Sequence, residues 1–471
     1  GCRSLTELNL NNFNTINVIS MNDMFRDCSA LKELNLNNFN TINVTDMSWM
    51  FCGCVSLKEL NLNNFNTFNV TDMSYMFTNC KSLSNINLFS LDTSKVTDMK
   101  NMFEFCKNLQ SLEQNFSTSL VTNMDYMFSN CKSLKSINIT NFDFSSIITT
   151  DSMFKESSNL ESILFPSLIK TSSLTNMASM FMGCSSLTSL NLANFDTYQV
   201  RFMNNLFQDC VSLEDLNISS FKTKSVVKME SMFQNCYKLK EIDLYHFSTT
   251  STRQIYNMFY NCISMTSVNI PNFDTFQITN FANLFYNCYS LQSLSLSNLD
   301  TNMINDMSYM FYNCSSLKTL NLTNFETDRV IYMNSMFEEC SSLTEIIIKQ
   351  FINTRTKDMS RLFCGCKRLD NIDLNNFNTT QVQNMNSMFS GCINLISLDL
   401  SNFDTSSVTN MWGMFARCYK IKIIDASSFN TTKVENMEDM FGYCRELESL
   451  NVSSFNTSNV KIMKGDRKSV V

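Results

Sequence analysis

The chain has 471 residues, 44% of them apolar, with 8 Gly and 2 Pro, so it can bury a continuous core and carries no flexible or Pro-rich linker. Charged residues make up 17% and the net charge is −7, which argues against a nucleic-acid backbone as partner, since that requires clustered Lys and Arg. No apolar run reaches the roughly 18 residues that a membrane-spanning helix needs.

From the N-terminus onward one frame repeats. Cysteines stand at 2, 28, 54, 80, 106 and 131, then every 26 residues from 184 to 444, with Ser157 in the one missing place. Counted this way there are eighteen units, and only Cys52 and Cys364 fall off the frame. Such a period builds a solenoid, which grows by adding units and not separate cores. Residues 1–464 are therefore expected to form one continuous solenoid.

The first half of a unit reads L-x-x-L-x-L-x-x-F, as in Leu31, Leu34, Leu36 and Phe39. Alternation through Leu34, Asn35 and Leu36 predicts a short strand with one buried face. A polar turn follows at Asn40 and Thr41. Val44, Met47, Met50, Phe51 and Cys54 then recur at helical spacing, with Thr45 and Asp46 where an N-cap and first turn would stand. The fold class predicted is an α/β solenoid of about eighteen 26-residue units. Each unit would hold a short parallel strand and a helical turn, coiled right-handedly.

Phe25, Phe51, Phe77 and their equivalents to Phe441 follow a Met, or a Leu at 206, 284 and 362. This reads as a stacked core column and not a sulfur-rich cofactor box. The cysteines lie one coil apart, with no rule for pairing and no closely grouped ligands, so a ladder of buried free thiols is expected. Cys52-Gly53-Cys54 and Cys364-Gly365-Cys366 add a weak alternative, a redox or soft-metal site.

Polar residues beside the strand leucines are expected to line a concave sheet face. The candidate binding positions are Asn35, Asn61, Asn87, Asn191, Asn217, Asp243, Asn269, Asn321, Asp373, Asp399 and Asp425. Their amides could hydrogen-bond along the stack or to a ligand. Asp373, Asp399 and Asp425 place three carboxylates in consecutive units, a cost that a cation or a basic partner would offset. A solvated acidic patch is the plainer reading.

Three irregularities stand out. The unit from Cys106 is one residue short, Thr150 stands where Met is due, and the unit from Ser157 is one residue long between Leu168 and Leu174. Residues 107–183 are thus expected to bulge, kink or change curvature. Pro166 and Pro271 fall just past the strand, where a missing N–H is tolerated. Met and Phe are due at 466 and 467, but Asp466 and Arg467 stand there. Residues 465–471 read as a non-repeat tail, the conceptual translation of a sequencing-library adapter, which the encoding DNA can check. With no polar capping unit at either end, a fragment of a longer protein is expected.

The frame M-F-x-x-C-x-x-L-x-x-L-x-L-x-x-F-x-T-x-x-V-x-x-M is carried in one pass by Met50, Phe51, Cys54, Leu57, Leu60, Leu62, Phe65, Thr67, Val70 and Met73. It resembles the repeat of BspA-type leucine-rich-repeat surface proteins, also called the mycoplasma-lipoprotein-type repeat. The resemblance runs over residues 1–464. It implies a leucine-rich-repeat solenoid at a cell surface or secreted, adhering to host or neighbouring-cell proteins, with no catalytic residues to carry over. Phe39 and its equivalents stand where ordinary leucine-rich repeats begin a buried Asn ladder, so that ladder is not implied.

The leading function is a non-catalytic adhesion or protein-interaction protein. An intracellular scaffold is the alternative, since unpaired cysteines suit a reducing compartment. An enzyme finds little support: there is one histidine, His246, and no G-x-S-x-G, P-loop or H-E-x-x-H. No cofactor and no metal are expected.

Overall fold

The computed structural model describes residues 1–270, 273–296 and 299–465. Pro271 and the tail from Asp466 to Val471, on which two of the expectations above fall, lie outside the described residues. The chain divides into two units, Gly1–Val226 and Val227–Val471, each a parallel β-solenoid.

The strand half forms in very short pieces and in some coils only; the coil of Leu34, Asn35 and Leu36 has no described strand. The first unit holds β1 (Asn85–Asn87), β2 (Ser111–Glu113), β3 (Ser136–Asn138), β4 (Ser162–Leu164), β5 (Ser189–Asn191) and β6 (Asp215–Asn217). They pair in parallel as β1 with β2, β3 with β4 and β5 with β6. The second unit holds β7 (Ser267–Val268), β8 (Ser293–Leu294), β9 (Thr319–Asn321), β10 (Glu345–Ile347), β11 (Ile423–Asp425) and β12 (Ser449–Asn451), paired in the same way. Register follows the repeat: Ile86 lies opposite Leu112, and Leu190 opposite Leu216. In β1, β5 and β9 only the central residue points inward, which leaves its two neighbours exposed.

The other half corrects the expected helical turn: no helix occurs among the described residues. Consecutive turns take its place. Val44 N–H donates to Thr41 O, Met50 to Met47, Cys52 to Trp49, Cys54 to Phe51 and Leu57 to Cys54, at 3.0 to 3.3 Å. A turn brings residues i and i+3 to the same side, so a chain of turns reproduces the apolar spacing of three that a helix would show. The remaining amides reach the next coil. Met47, Trp49, Phe51 and Gly53 donate to the carbonyls of Asp72, Ser74, Met76 and Thr78 at 2.8 to 3.0 Å. Met307, Tyr309, Phe311 and Asn313 repeat the pattern in the second unit.

This pairing requires two left-handed residues per coil, four positions apart. Trp49 and Gly53 (φ 60° and 75°), Tyr75 and Asn79 (59° and 62°), and Tyr309 and Asn313 (57° and 55°) are examples. A left-handed residue ends any right-handed helix. The N-cap signal was real, but it closes a turn: Asp46 Oδ1 accepts from Ser48 N–H at 2.9 Å and from Ser48 Oγ at 2.6 Å.

The core is built of columns. The rings of Phe25 to Phe207 stack face to face at 5.4 to 5.9 Å in the first unit. Phe233 to Phe441 do the same in the second, at 5.3 to 5.8 Å. The Met and Val columns beside them are buried from Val44, Met47 and Met50 to Val434, Met437 and Met440, and open to solvent at the ends, where Met24 and Met463 are exposed. The expected Phe column is therefore packing, with no surface exposed to a cofactor.

Gly365 and Gly391 both occupy the second left-handed position, at φ 72° and 73°. A Cβ on Gly391 would meet only Gly365 backbone at 3.5 Å, whereas one on Gly365 would fall 2.5 Å from Glu339 Oε1. Gly391→Ala is expected to cost about 1 kcal/mol through the backbone alone. Gly365→Ala should cost more, because Glu339 must move. Urea midpoints measure both, and equal losses would contradict this account.

Candidate functional site

All eleven candidate residues are exposed on the strand side of their coils. Asn191 and Asn217 face each other across β5 and β6, and Asp243 bridges to Asn269. Asn35, Asn61, Asp373 and Asp399 lie in coils without described strands, so nothing pairs them directly.

Most of these side chains have a local task. Asn35, Asn61, Asn87, Asn191 and Asn217 each accept, through Oδ1, the N–H two residues on, at 3.0 to 3.2 Å. Asp243, Asn321, Asp373, Asp399 and Asp425 do the same. These are Asx turns that end the strand. The amide ladder along the stack has one counterpart in this column: Asn451 Nδ2 donates to Asp425 Oδ1 at 3.0 Å. The Asn residues keep their NH2 groups for solvent or a partner. In the acidic trio, hydrogen bonds from Ser401 and Ser427 hold the Asp399 and Asp425 carboxyls below their ordinary range. Among the described residues, no group of three or more His, Cys, Asp or Glu side chains is placed to hold a metal ion.

The thiols do form a ladder, with a definite partner. Cys54 Sγ donates to Phe25 O at 3.2 Å, Cys80 to Phe51 O at 3.2 Å and Cys288 to Phe259 O at 3.2 Å. Ser157 makes the same bond to Phe128 O, at 2.7 Å. Burial pushes the Cys54, Cys210, Cys288 and Cys340 thiols up to about 12, which keeps the donor protonated. In the C-G-C triplets, Cys52 is pushed to about 11 and Cys364 to about 12, again by burial, the opposite of a thiolate poised for redox or metal chemistry.

A second column escaped the sequence reading. Thr41 Oγ1 donates to Asn66 O at 2.8 Å and accepts from Asn66 N–H at 2.8 Å, and Thr15 treats Asn40 likewise. These buried threonines stitch successive coils together. Their recurrence two residues after most of the Phe residues that close the strand half, as at Phe39 and Thr41, was the available signal.

Open depressions between strands mark the face. One of about 400 Å³ is lined by Leu294, Leu296, Asn321 and Thr323. One of about 440 Å³ opens beside β4 and β5, and one of about 230 Å³ runs between β1 and β2. His246 is exposed, edge-on to Tyr245 at 5.5 Å. No helix among the described residues is long and apolar enough to cross a membrane.

Parallel strands stacked at one 26-residue step over a leucine core define a leucine-rich-repeat protein. The family model described as "Mycoplasma protein of unknown function, DUF285" matches residues 1–111, 84–165, 166–267, 253–371 and 357–468. The chain belongs to that family, whose repeat is the BspA-type leucine-rich repeat. In structure it is similar to a leucine-rich repeat protein from Bacteroides ovatus, at 19% identity, covering 88% of this chain and 85% of that one, with a TM-score of 0.48. It is also similar to a leucine rich cell surface protein from Faecalibacterium prausnitzii (18%, covering 58% and 75%, TM-score 0.31). A leucine-rich repeat protein from Eubacterium ventriosum is similar at 16% identity, covering 69% of this chain and 80% of that one, with a TM-score of 0.34. No curated protein matches the chain.

Two outcomes test the thiol ladder. Ellman's reagent is expected to reach Cys2 quickly and Cys364 slowly in the folded chain, and all 19 cysteines after denaturation. Faster labelling of the column cysteines would refute their burial. The folded thiols also titrate above their ordinary 9.0. Their contribution to stability is complete below that pH and is lost as pH rises toward about 12. The urea midpoint should fall across that window, and less so in Cys288→Ser, which keeps a donor that does not titrate there.

Proposed function

We propose that this is a non-catalytic protein-interaction protein, surface-displayed or secreted, that engages host or neighbouring-cell proteins along an extended strand face. The reading counts eighteen units over residues 1–464. The observation that carries it is the recurrence of exposed amides and carboxylates at one position of successive coils, Asn35 to Asn217 in one unit and Asp243 to Asp425 in the other. Such a face offers many small contacts whose energies accumulate along a partner. The acidic trio at Asp373, Asp399 and Asp425 suits a basic segment of that partner. A second reading, an intracellular scaffold, is favoured by one observation: the described residues hold no disulfide.

Antibody against the chain is expected to stain intact cells; staining only after permeabilisation would favour the scaffold. The immobilised full chain is expected to retain matrix or neighbouring-cell proteins. Replacing Asp373, Asp399 and Asp425 together by Asn should weaken retention by about tenfold. Retention unchanged by the triple substitution would remove the trio from the contact surface.

A further inference from the structure

The coil from Ser157 has one residue more than its neighbours, and its strand side differs from theirs. Counted forward from Ser157, Leu168 takes the place that Phe142 holds one coil earlier; counted back from Thr171, Ile169 does. Phe142 is 3% exposed, but Leu168 is 89% exposed and Ile169 only half-buried. Leucine as such fits this column, for Leu91 is 3% exposed at the equivalent place. The extra residue, and not the side chain, puts Leu168 outside.

The space beneath is filled from elsewhere. Phe144 stands where most coils place the column threonine, and its buried ring lies 6.3 Å from that of Phe195. Phe165 meets Phe195 edge-on at 5.3 Å. Leu164 holds the strand-face position of Asn138 and Asn191 and is 56% exposed. β4 pairs with β3 and not with β5. The groove of about 440 Å³ there has Leu164, Phe165, Pro166 and Ile169 as its apolar side, with Ser189 and Asn191 at the polar rim.

We propose that this groove docks a protein segment presenting one bulky apolar side chain between uncharged, hydrogen-bonding residues. The inference rests on the strand-face interaction reading and narrows it to one coil and one partner chemistry. Charge selects the occupant. No ionisable side chain lines the groove, so a charged residue entering it would lose water without a counter-charge. Ser189 and the NH2 of Asn191 offer hydrogen bonds to a neutral rim instead; Asn191 Oδ1 is already taken by Ala193 N–H. Burying Leu164 in the groove, with the exposed Leu168 flanking it between the lining residues Ser167 and Ile169, around one apolar anchor gives the dry centre and polar surround that dominate interface energetics.

Random peptides displayed on phage, selected on the full chain, test this. Selected peptides are expected to share one large apolar residue in an uncharged context and to slow hydrogen exchange over residues 162–169 and 189–195. They should bind the Leu164→Asn, Leu168→Asn double variant about tenfold more weakly. Both leucines are exposed, so the variant should keep its thermal midpoint; the exchange data on the unaltered chain stand without it. Protection confined to other strand-face segments, or charged consensus peptides, would overturn this inference and leave the broader reading standing. No strand-face protection by any peptide would sink both. Concentration-dependent dimerisation abolished by the double variant would replace the proposed partner with a second copy of the chain.

Discussion

The bond that everything else depends on runs between coils, from the amides of one turn segment to the carbonyls of the next. Met47, Trp49, Phe51 and Gly53 reach forward to Asp72, Ser74, Met76 and Thr78, while the amides between them close turns within the coil. Every polar backbone group of this buried segment thus has a partner, as burial demands. The arrangement holds only if consecutive coils stay in register. Register in turn places each Phe ring over the last, each thiol under a carbonyl and each strand beside its neighbour. The left-handed residues cost roughly 1 kcal/mol or more apiece where they are not glycine, a strain that the surrounding bonds must offset.

Much of this was legible in the sequence. The cysteine frame carried the 26-residue step at which successive strands pair, and alternation beside the leucines marked the side on which they lie. The helical reading failed for a specific reason. Val44, Met47, Met50 and Cys54 point inward at steps of three because turns, like helices, bring every third residue to one side. Apolar spacing cannot separate the two, and left-handed positions held by Trp49, Tyr75 or Tyr309 leave no mark, since only glycine or asparagine advertises them. Phe25 to Phe441 were assigned correctly as packing. The candidate face was harder to judge, because the Asn and Asp column serves the backbone as Asx turns as well as lying open to a partner.

The buried polar columns follow one logic. Cysteine, serine at 157 and threonine all supply a short donor to a backbone carbonyl of a neighbouring coil. A hydroxyl substitutes for a thiol at Ser157 with the same acceptor. The cysteines are thus used for their size and their proton.

The two frame errors, at Cys106 and Ser157, show unequal tolerance. The short coil loses an inward leucine, puts Gln114 at the surface and keeps Phe116 buried, with Gln114 Oε1 accepting from Phe116 N–H at 2.8 Å. The long coil cannot hide its surplus residue, and a side chain that would belong inside stands in water. Length variation in such a repeat therefore acts as a source of novelty: a single added codon can turn a hydrophobic position outward without dissolving the stack, and hand selection a sticky spot on an otherwise hydrophilic wall.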